Sequence, residues 1–365
     1  MSKIFNIIGS LSILKSHLEN NNIYDFKSLK EVIDFQSSFS TLRQQLITHH
    51  ENLIEQEKKI LKTELQQLEV TIEIQKQKSE NELSSEMDKL KQQLSISTNN
   101  TSTSVFKILI KKIKQWNCKR QLRDKERNFD VEVKKSINKL LDNREYKNNR
   151  YQFISSQFNL AVEQSSNASL SEIERKKSVI DNLSSFIYGA LGEQKVVKTL
   201  EVLSDEYYII NDFEVCFSPA IYNRQENEYI KSIQIDHLLV APSGIFLIET
   251  KNWSEKSLEN LSLRSPVQQI KRTSFVLFKL LNNEMRNSHL RLEKHHWGDK
   301  KISIKNLIVL TTTKPKEEFQ YVKILTLNEL LGYINYFKPT FSSIETQRIA
   351  EFLLKINEQK TIHTK

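Results

Sequence analysis

Three charged residues interrupt an apolar, hairpin-like segment of the chain, IDHLLVAPSGIFLIETKNW. Asp236 stands in the first apolar run, and Glu249 and Lys251 stand in the second, beyond a Pro-Ser-Gly turn. Because side chains alternate faces along a strand, Glu249 and Lys251 point the same way, and a hairpin can bring Asp236 beside Glu249. The sequence therefore predicts that two carboxylates and one ammonium group converge at one edge of a sheet.

These residue types suit metal-assisted phosphate chemistry. Two close carboxylates repel each other, but a divalent cation with oxygen ligands, such as Mg²⁺ or Mn²⁺, removes that repulsion. A metal held by Asp236 and Glu249 would polarise a phosphoryl oxygen and acidify a bound water. Lys251 would orient that water or stabilise charge on the phosphate. The alternative is a buried salt bridge between Lys251 and either carboxylate, which is a costly way to gain stability.

Four short patterns follow one another in the second half of the chain. They are Gly-x-x-Gly-Glu ending at Glu193, Ile-Asp-His at 235–237, an apolar strand with Glu-x-Lys at 244–251, and Ser-Pro-x-x-Gln at 265–269. This series resembles the nuclease-related domain family of the PD-(D/E)XK nucleases and covers residues 185–335. The family has Asn where Ser265 stands here, and Ser can also cap a helix that begins with proline.

The resemblance implies a restriction-endonuclease-like fold and metal-dependent hydrolysis of phosphodiester bonds. Carried over residue by residue, Asp236, Glu249 and Glu193 would bind Mg²⁺ or Mn²⁺, and Lys251 would be the catalytic lysine. Gln269 would stabilise the site or contact the phosphate backbone. The resemblance also implies DNA as the substrate, and DNA processing or antiviral defence would fit such a protein. The alternative is a coiled-coil scaffold whose nuclease-like domain binds nucleic acid without cutting it.

Further residues near this region are candidates for contact with nucleic acid. Lys271 and Arg272 lie in the predicted helix after Pro266 and would reach phosphates, although a solvated helix face explains them as well. His237 either packs inside the domain or touches DNA or water at the site. His295 and His296 have no evident third metal ligand, so we interpret them as a loop or a phosphate contact.

Glycine and proline divide the chain into two parts. No glycine lies between Gly9 and Gly189, and the first proline is Pro219. Long helices need no breakers, whereas strands and turns do. We therefore expect an α+β protein, with a helical coiled-coil stalk at 1–184, a compact domain at 185–340 and a C-terminal helix and tail at 341–365. The order α-β-β-β-α-β-(β)-α in the second part predicts a mixed sheet flanked by helices.

The helical part contains coiled-coil spacing on both sides of a polar segment. Apolar residues step by 4, 3 and 4 at Leu61, Leu65, Leu68 and Ile72, and again at Leu83, Met87, Leu90 and Leu94. The segment SISTNNTSTS, 95–104, has the composition of a loop. We expect an antiparallel helical hairpin, or else two separate helices that pair with another subunit. In either case the coiled coil predicts a homo-oligomer or a partner protein.

The segment Val105–Arg127 combines an apolar stripe with many cations. The stripe is Phe106, Leu109, Ile110, Ile113 and Trp116, and the cations are Lys107, Lys111, Lys112, Lys114, Lys119 and Arg120. Three interpretations stay open: a coiled-coil face with a solvated basic flank, contact with nucleic-acid phosphates, or contact of 105–116 with a membrane.

Composition narrows the class of protein. The 365 residues carry a formal net charge of +9, which suits a polyanionic partner such as nucleic acid or an anionic membrane face. Cys118 and Cys216 are the only cysteines, which excludes a disulfide framework and a cysteine-based zinc site. We expect a reducing, cytoplasmic setting.

The N-terminal residues fit one face of a helix better than a signal peptide.

Overall fold

The computed structural model describes residues 1–99, 105–253, 264–286, 290, 292–293, 300–312, 314–315 and 317–363. The chain forms two compact units, which we describe separately. The sheet unit comprises Met1–Ser37 and Arg175–Lys365, and the hairpin unit comprises Ser38–Glu174. This division differs from the expected boundary at residue 184, because residues 1–37 and 175–184 also belong to the sheet unit.

The described elements follow the predicted order through the C-terminal half. They are β1 (Lys3–Phe5), α1 (Gly9–Asn20), α2 (Leu29–Asn99), α3 (Val105–Ser156), α4 (Phe158–Asn182), α5 (Ser184–Leu200), β2 (Tyr208–Asn223), β3 (Glu228–Ala241), β4 (Gly244–Lys251), α6 (Arg264–Arg286), β5 (Ile304–Leu310), β6 (Lys323–Thr326), α7 (Leu327–Asn335), α8 (Ser343–Gln359) and β7 (Thr361–His363).

Ion pairs across α2 and α3 define the direction of these helices in the hairpin unit. As residue numbers rise along α3 they fall along α2, in the pairs Lys125–Glu86, Arg144–Glu69, Lys147–Glu64 and Arg150–Glu57. The antiparallel hairpin is therefore confirmed. The helix α2 continues through Asn99, so residues 95–99 of the expected loop are helical, and residues 100–104 lie outside the described residues.

A mixed sheet organises the other unit. Its strand order is β1-β2-β3-β4-β5-β6, and β7 also pairs with β2. The β2–β3 and β3–β4 pairs are antiparallel, whereas β4–β5 and β5–β6 are parallel. The turn between β3 and β4 consists of Pro242 and Ser243, since Ala241 pairs with Gly244. This tight turn sets the register of the two strands that carry the predicted site.

Helices cover both faces of the sheet, which confirms the α+β architecture. One core contains Ile270, Val276 and Leu277 of α6 with Ile349 and Leu353 of α8. The other core contains Val196 and Leu200 of α5 with Leu330 and Ile334 of α7. The central strands are apolar on both faces, as sheets covered on two sides require. The expected C-terminal helix corresponds to α8, which packs in the first of these cores.

The N-terminal residues also belong to the sheet unit, although we expected them in the stalk. The strand β1 extends the sheet in parallel with β2, with Lys3 opposite Tyr208 and Phe5 opposite Ile210. The helix α1 buries its apolar face against α5 and the ends of α2 and α4. The shared cluster includes Leu14, Leu18, Ile180, Ile187 and Ala190.

Candidate active site

The end of the β3–β4 ladder places Asp236 next to the last residues of β4. The final ladder pair is His237 with Ile248. Beyond it, the Thr250 backbone N–H donates to Oδ2 of Asp236 at 2.6 Å. The carboxylate therefore replaces a backbone acceptor at the point where the strands separate. The half-buried Asp236 side chain is held against β4.

Glu249 and Lys251 share one face of β4, as the two-residue spacing predicts. The Lys251 ammonium donates to Oε1 of Glu249 at 2.7 Å, and Glu249 is only 2% exposed. Gln269 of α6 lies within 3.4 Å of both Oε2 of Glu249 and the carbonyl of Gln234. Gln269 thus links the helix to β3 and β4.

The helix α5 brings Glu193 to the same region, and its two glycines explain how closely it packs. A Cβ on Gly192 would lie 2.8 Å from Cβ of Asn252, just after β4. A Cβ on Gly189 would lie 2.9 Å from Oγ of Ser10. The Gly-x-x-Gly-Glu pattern therefore serves two close approaches, one to the end of β4 and one to α1.

Ser10 and Asp212 join the site although no motif pointed to them. The Ser10 hydroxyl donates to Oε1 of Glu193. Asp212 has a positive φ of 46°, and its Oδ1 accepts a bond from Gln234 at 2.9 Å. A Cβ on Gly9 would lie 2.7 Å from that same oxygen. The isolated glycine in an otherwise helical N-terminal pattern was the available signal, because such a glycine often marks a close approach.

The carboxylates of the site outnumber its one ammonium group, Lys251. The pKa values of Asp236 and Glu193 are raised as a result of burial and of this excess of negative charge. Burial raises the pKa of Asp236 well above 3.8, Glu249 and Glu193 raise it further, and Lys251 and the Thr250 N–H oppose the shift. Burial also raises the pKa of Glu193, and the Ser10 bonds counteract this only in part. Such repulsion among carboxylates is what a bound cation relieves.

The pKa of Lys251 is also raised, but for a lysine this shift favours the charged form. Burial alone would lower the pKa of Lys251, but the Glu249 and Asp236 carboxylates outweigh it and raise that pKa above 10.5. The side chain therefore stays an ammonium group near neutral pH. A charged donor held between carboxylates suits contact with an anionic substrate.

The carboxylate oxygens of the site suit a divalent cation that takes only a few of its ligands from the protein. Asp236 and Glu249 offer only oxygen donors, which Mg²⁺ and Mn²⁺ prefer. No group of three His, Cys, Asp or Glu side chains in the described part of the chain is arranged to hold one metal ion. Mg²⁺ commonly takes only one or two carboxylates and completes its shell with water and phosphate oxygens. Two carboxylates are consistent with that mode.

His237 lies inside the domain, so its side chain does not reach the surface where nucleic acid would bind. Its side chain is 0% exposed, and Nδ1 lies 2.8 Å from Oδ1 of Asn211. Burial lowers the pKa of His237 to about 3, so the ring is neutral. Among the described residues, Nε2 has no hydrogen-bond partner. Of the two interpretations, packing within the domain agrees with this position.

The other predicted contacts have different surroundings. Lys271 is exposed on α6. Arg272 is also exposed, but it forms an ion pair with Glu228, with Nη2 and Oε1 2.5 Å apart. His295 and His296 lie outside the described residues. Lys271 is therefore the more accessible of the two predicted cations for a phosphate.

Comparison with known families agrees with this geometry. Residues 188–311 match the family described as the nuclease-related domain. This segment is a nuclease-related domain. It contains the five residues carried over from the resemblance, whereas Ser10 lies outside it. No curated protein and no solved structure matches the chain.

Proposed function

We propose that the nuclease-related domain hydrolyses phosphodiester bonds of DNA with the help of Mg²⁺ or Mn²⁺. The proposal depends on one observation: Asp236, Glu249 and Lys251 lie together where β3 and β4 separate. There the Lys251 Nζ lies 2.7 Å from Oε1 of Glu249. Gathering three charges in buried or half-buried positions for stability alone is costly, so a substrate and a cation account for them better. Such an enzyme would fit DNA processing or antiviral defence in a reducing cytoplasm.

Each side chain has a distinct role in this proposal. Asp236 and Glu249 would hold the cation, which would withdraw charge from a phosphoryl oxygen and acidify its bound water. Lys251, with its raised pKa, is suited to donate hydrogen bonds to the phosphate rather than to accept a proton. Gln269 restrains the Glu249 carboxylate from α6. Glu193 adds a further carboxylate, oriented by Ser10.

A groove along α6 supports contact with nucleic acid. It has a volume of about 1200 Å³ and lies between α6, the tip of the β2–β3 hairpin and the start of β5. Its lining includes the cations Lys271 and Lys301 and the aromatic residues Phe278 and Tyr321, of which Tyr321 is 76% exposed. Cations together with exposed aromatic rings are typical of surfaces that hold phosphates and stack bases.

Cleavage assays with the full chain test the proposal. Linear, circular and single-stranded DNA, with RNA in parallel, would be incubated with Mg²⁺, Mn²⁺ or a chelator. We expect cleavage of DNA only with metal, and a loss of at least about 100-fold in Lys251→Ala and Asp236→Asn, the scale on which single charge-stabilising groups act. Lys195→Ala, an exposed lysine on α5, is the matched control and should retain full activity.

Different results point to different conclusions. Equal activity in the wild type, Lys251→Ala and Asp236→Asn would contradict the assignment. DNA binding without metal-dependent cleavage would instead favour the non-catalytic nucleic-acid-binding scaffold. Preferential cleavage of RNA would retain the chemistry and correct the substrate.

A further inference from the structure

A set of large apolar side chains at the start of α3 is exposed to solvent. Their exposed fractions lie between 44% and 76%. The residues are Phe106, Leu109, Ile110, Ile113 and Trp116, and we call them the α3 stripe. Elsewhere in the hairpin unit, Ile54 and Ile154 are at most 3% exposed, which shows that apolar residues can be buried there.

The stripe points away from the partner helix α2. The side of α3 that faces α2 is marked by Cys118, whose Sγ lies 3.3 Å from the carbonyl of Leu90. Half-buried residues continue that side at spacings of 4, 3 and 4, through Lys111, Gln115, Cys118 and Leu122. At about 100° per residue, the stripe lies on the opposite side of the helix. A coiled-coil face within the hairpin is therefore the wrong interpretation of this stripe.

Cations border the stripe on both sides. Lys114 lies on one flank, and Lys112 and Lys119 lie on the other, all exposed. Residues 105–123 contain no Asp or Glu. The Arg120 guanidinium lies 5.8 Å from the centre of the Trp116 ring. The surface thus combines an apolar centre with a positive border.

We propose that the α3 stripe docks on the surface of an anionic lipid bilayer. A helix with an apolar face, an aromatic residue and flanking lysines lies in the plane of such an interface, with its apolar side among the acyl chains and its cations at the headgroups. The helix would lie on the bilayer, since no described helix is long and apolar enough to cross a membrane.

The charge and the hydrophobicity of the α3 stripe together favour an anionic bilayer over nucleic acid or a second copy of the chain. Nucleic-acid phosphates would pair with Lys112, Lys114 and Lys119 but would leave the apolar stripe in water. A second copy bound through the same face would bring its lysines against these lysines, and like charges repel. An anionic bilayer satisfies both the stripe and the cations.

Vesicle flotation with the full chain tests the proposal. The chain would be mixed with phosphatidylcholine vesicles, with or without phosphatidylglycerol. We expect flotation with the anionic vesicles and a loss with added salt. The double variant Ile113→Gln with Trp116→Gln should lower the partition at least about tenfold, because the apolar contact supplies much of the binding. Both side chains are exposed, so the variant should fold.

Two further variants separate the contributions. Val131→Gln, which is 56% exposed on the same helix but outside the stripe, should bind vesicles like the wild type. Lys112→Glu with Lys114→Glu should abolish the preference for anionic lipid. Absence of flotation, or flotation unchanged by the stripe variant, would overturn the proposal. So would a stripe-dependent dimer in light scattering without lipid, or lysine variants that weaken only DNA binding.

Discussion

The Ser10 hydroxyl donates a hydrogen bond to Oε1 of Glu193, although the two residues stand 183 positions apart. The Ser10 backbone N–H also approaches Oε2, at 3.5 Å. This N–H belongs to the first turn of α1, where unpaired amides favour negative charge. The N-terminal segment therefore orients a carboxylate of a domain whose family match begins only at residue 188.

Ser10→Ala should destabilise the sheet unit and reduce the proposed nuclease activity. Glu193 is buried, and the loss of a donor to a buried carboxylate costs about 1–3 kcal/mol. Urea unfolding at neutral pH measures this cost. In a double-mutant cycle, most of the cost should disappear in the Glu193→Gln background, because the charged acceptor is then absent.

Ser12→Ala is the control for this contact. Ser12 is exposed on the same helix, and its hydroxyl lies near the carbonyl of Ile8. Its substitution should change the unfolding free energy by no more than about 0.5 kcal/mol. Equal effects at both positions would show that the Ser10–Glu193 bond contributes no specific stability.

Asp236→Asn should stabilise the metal-free protein while it removes the proposed nuclease activity. The raised pKa of Asp236 means that its charge is unfavourable in the folded state, and one pKa unit corresponds to about 1.4 kcal/mol. Asn retains an oxygen to accept the Thr250 N–H. Thermal unfolding in a chelator should therefore give a higher Tm for the variant.

Added Mg²⁺ should reverse this order of stability. A ligand that binds the folded state at 100 times its Kd stabilises it by about 2.7 kcal/mol, and the variant lacks one carboxylate for that binding. Asp205→Asn, at an exposed position, should respond to Mg²⁺ like the wild type. A large loss of stability in chelated Asp236→Asn would favour the buried salt-bridge interpretation instead.

Gly244→Ala should weaken the hairpin that sets the register of the site. Gly244 has a φ of 124°, and an added Cβ would lie 2.6 Å from the carbonyl oxygen of Ser303. Strained backbone of this kind costs about 1–3 kcal/mol before the steric clash is counted. Gly332→Ala provides the contrast, since nothing lies within 4 Å of its Cβ in α7, and it should stabilise by about 0.5–1 kcal/mol. Denaturant midpoints that move in the same direction for both variants would contradict this expectation.

Glu345→Gln should destabilise the protein in a pH-dependent manner. Burial alone would raise the pKa of Glu345, but Lys300 and the N–H groups of Ser342 and Glu293 outweigh it, so the pKa lies below 4.5. The carboxylate therefore stabilises the fold above pH 4.5, and this contribution is lost as the pH falls through the lowered value. At pH 7 we expect a cost of about 1.5–3 kcal/mol.

Urea unfolding measured across a range of pH separates the contribution of the Glu345 carboxylate from the general destabilisation of the protein by acid. The difference between the wild type and Glu345→Gln should shrink below pH 4.5 as the carboxylate is protonated. Glu358→Gln, at an exposed position on the same helix, should leave the profile unchanged. A difference that stays constant down to low pH would indicate a packing effect of the substitution.

Local patterns were sufficient to predict the strands and helices around the site. The alternation along β4 placed Glu249 and Lys251 on one face, and the Pro242–Ser243 turn brought Asp236 near them. Pro266 predicted where the helix with Gln269 begins, and the observed start at Arg264 lies two residues away. These features depend on periodicity, turn chemistry and neighbouring residues, which a single sequence records directly.

Features that depend on contacts between distant segments were decided only by the tertiary structure. They include the Ser10–Glu193 bond, the burial of His237, and the α8 helix within the core. The outward direction of the α3 stripe is a further case, because its apolar spacing predicts an amphipathic helix without saying which side meets α2. The sequence by itself determined which residues could do chemistry and on which elements they lie. Packing among segments far apart in the chain determined which carboxylates, donors and exposed faces this protein finally presents, because such contacts leave no local period to read.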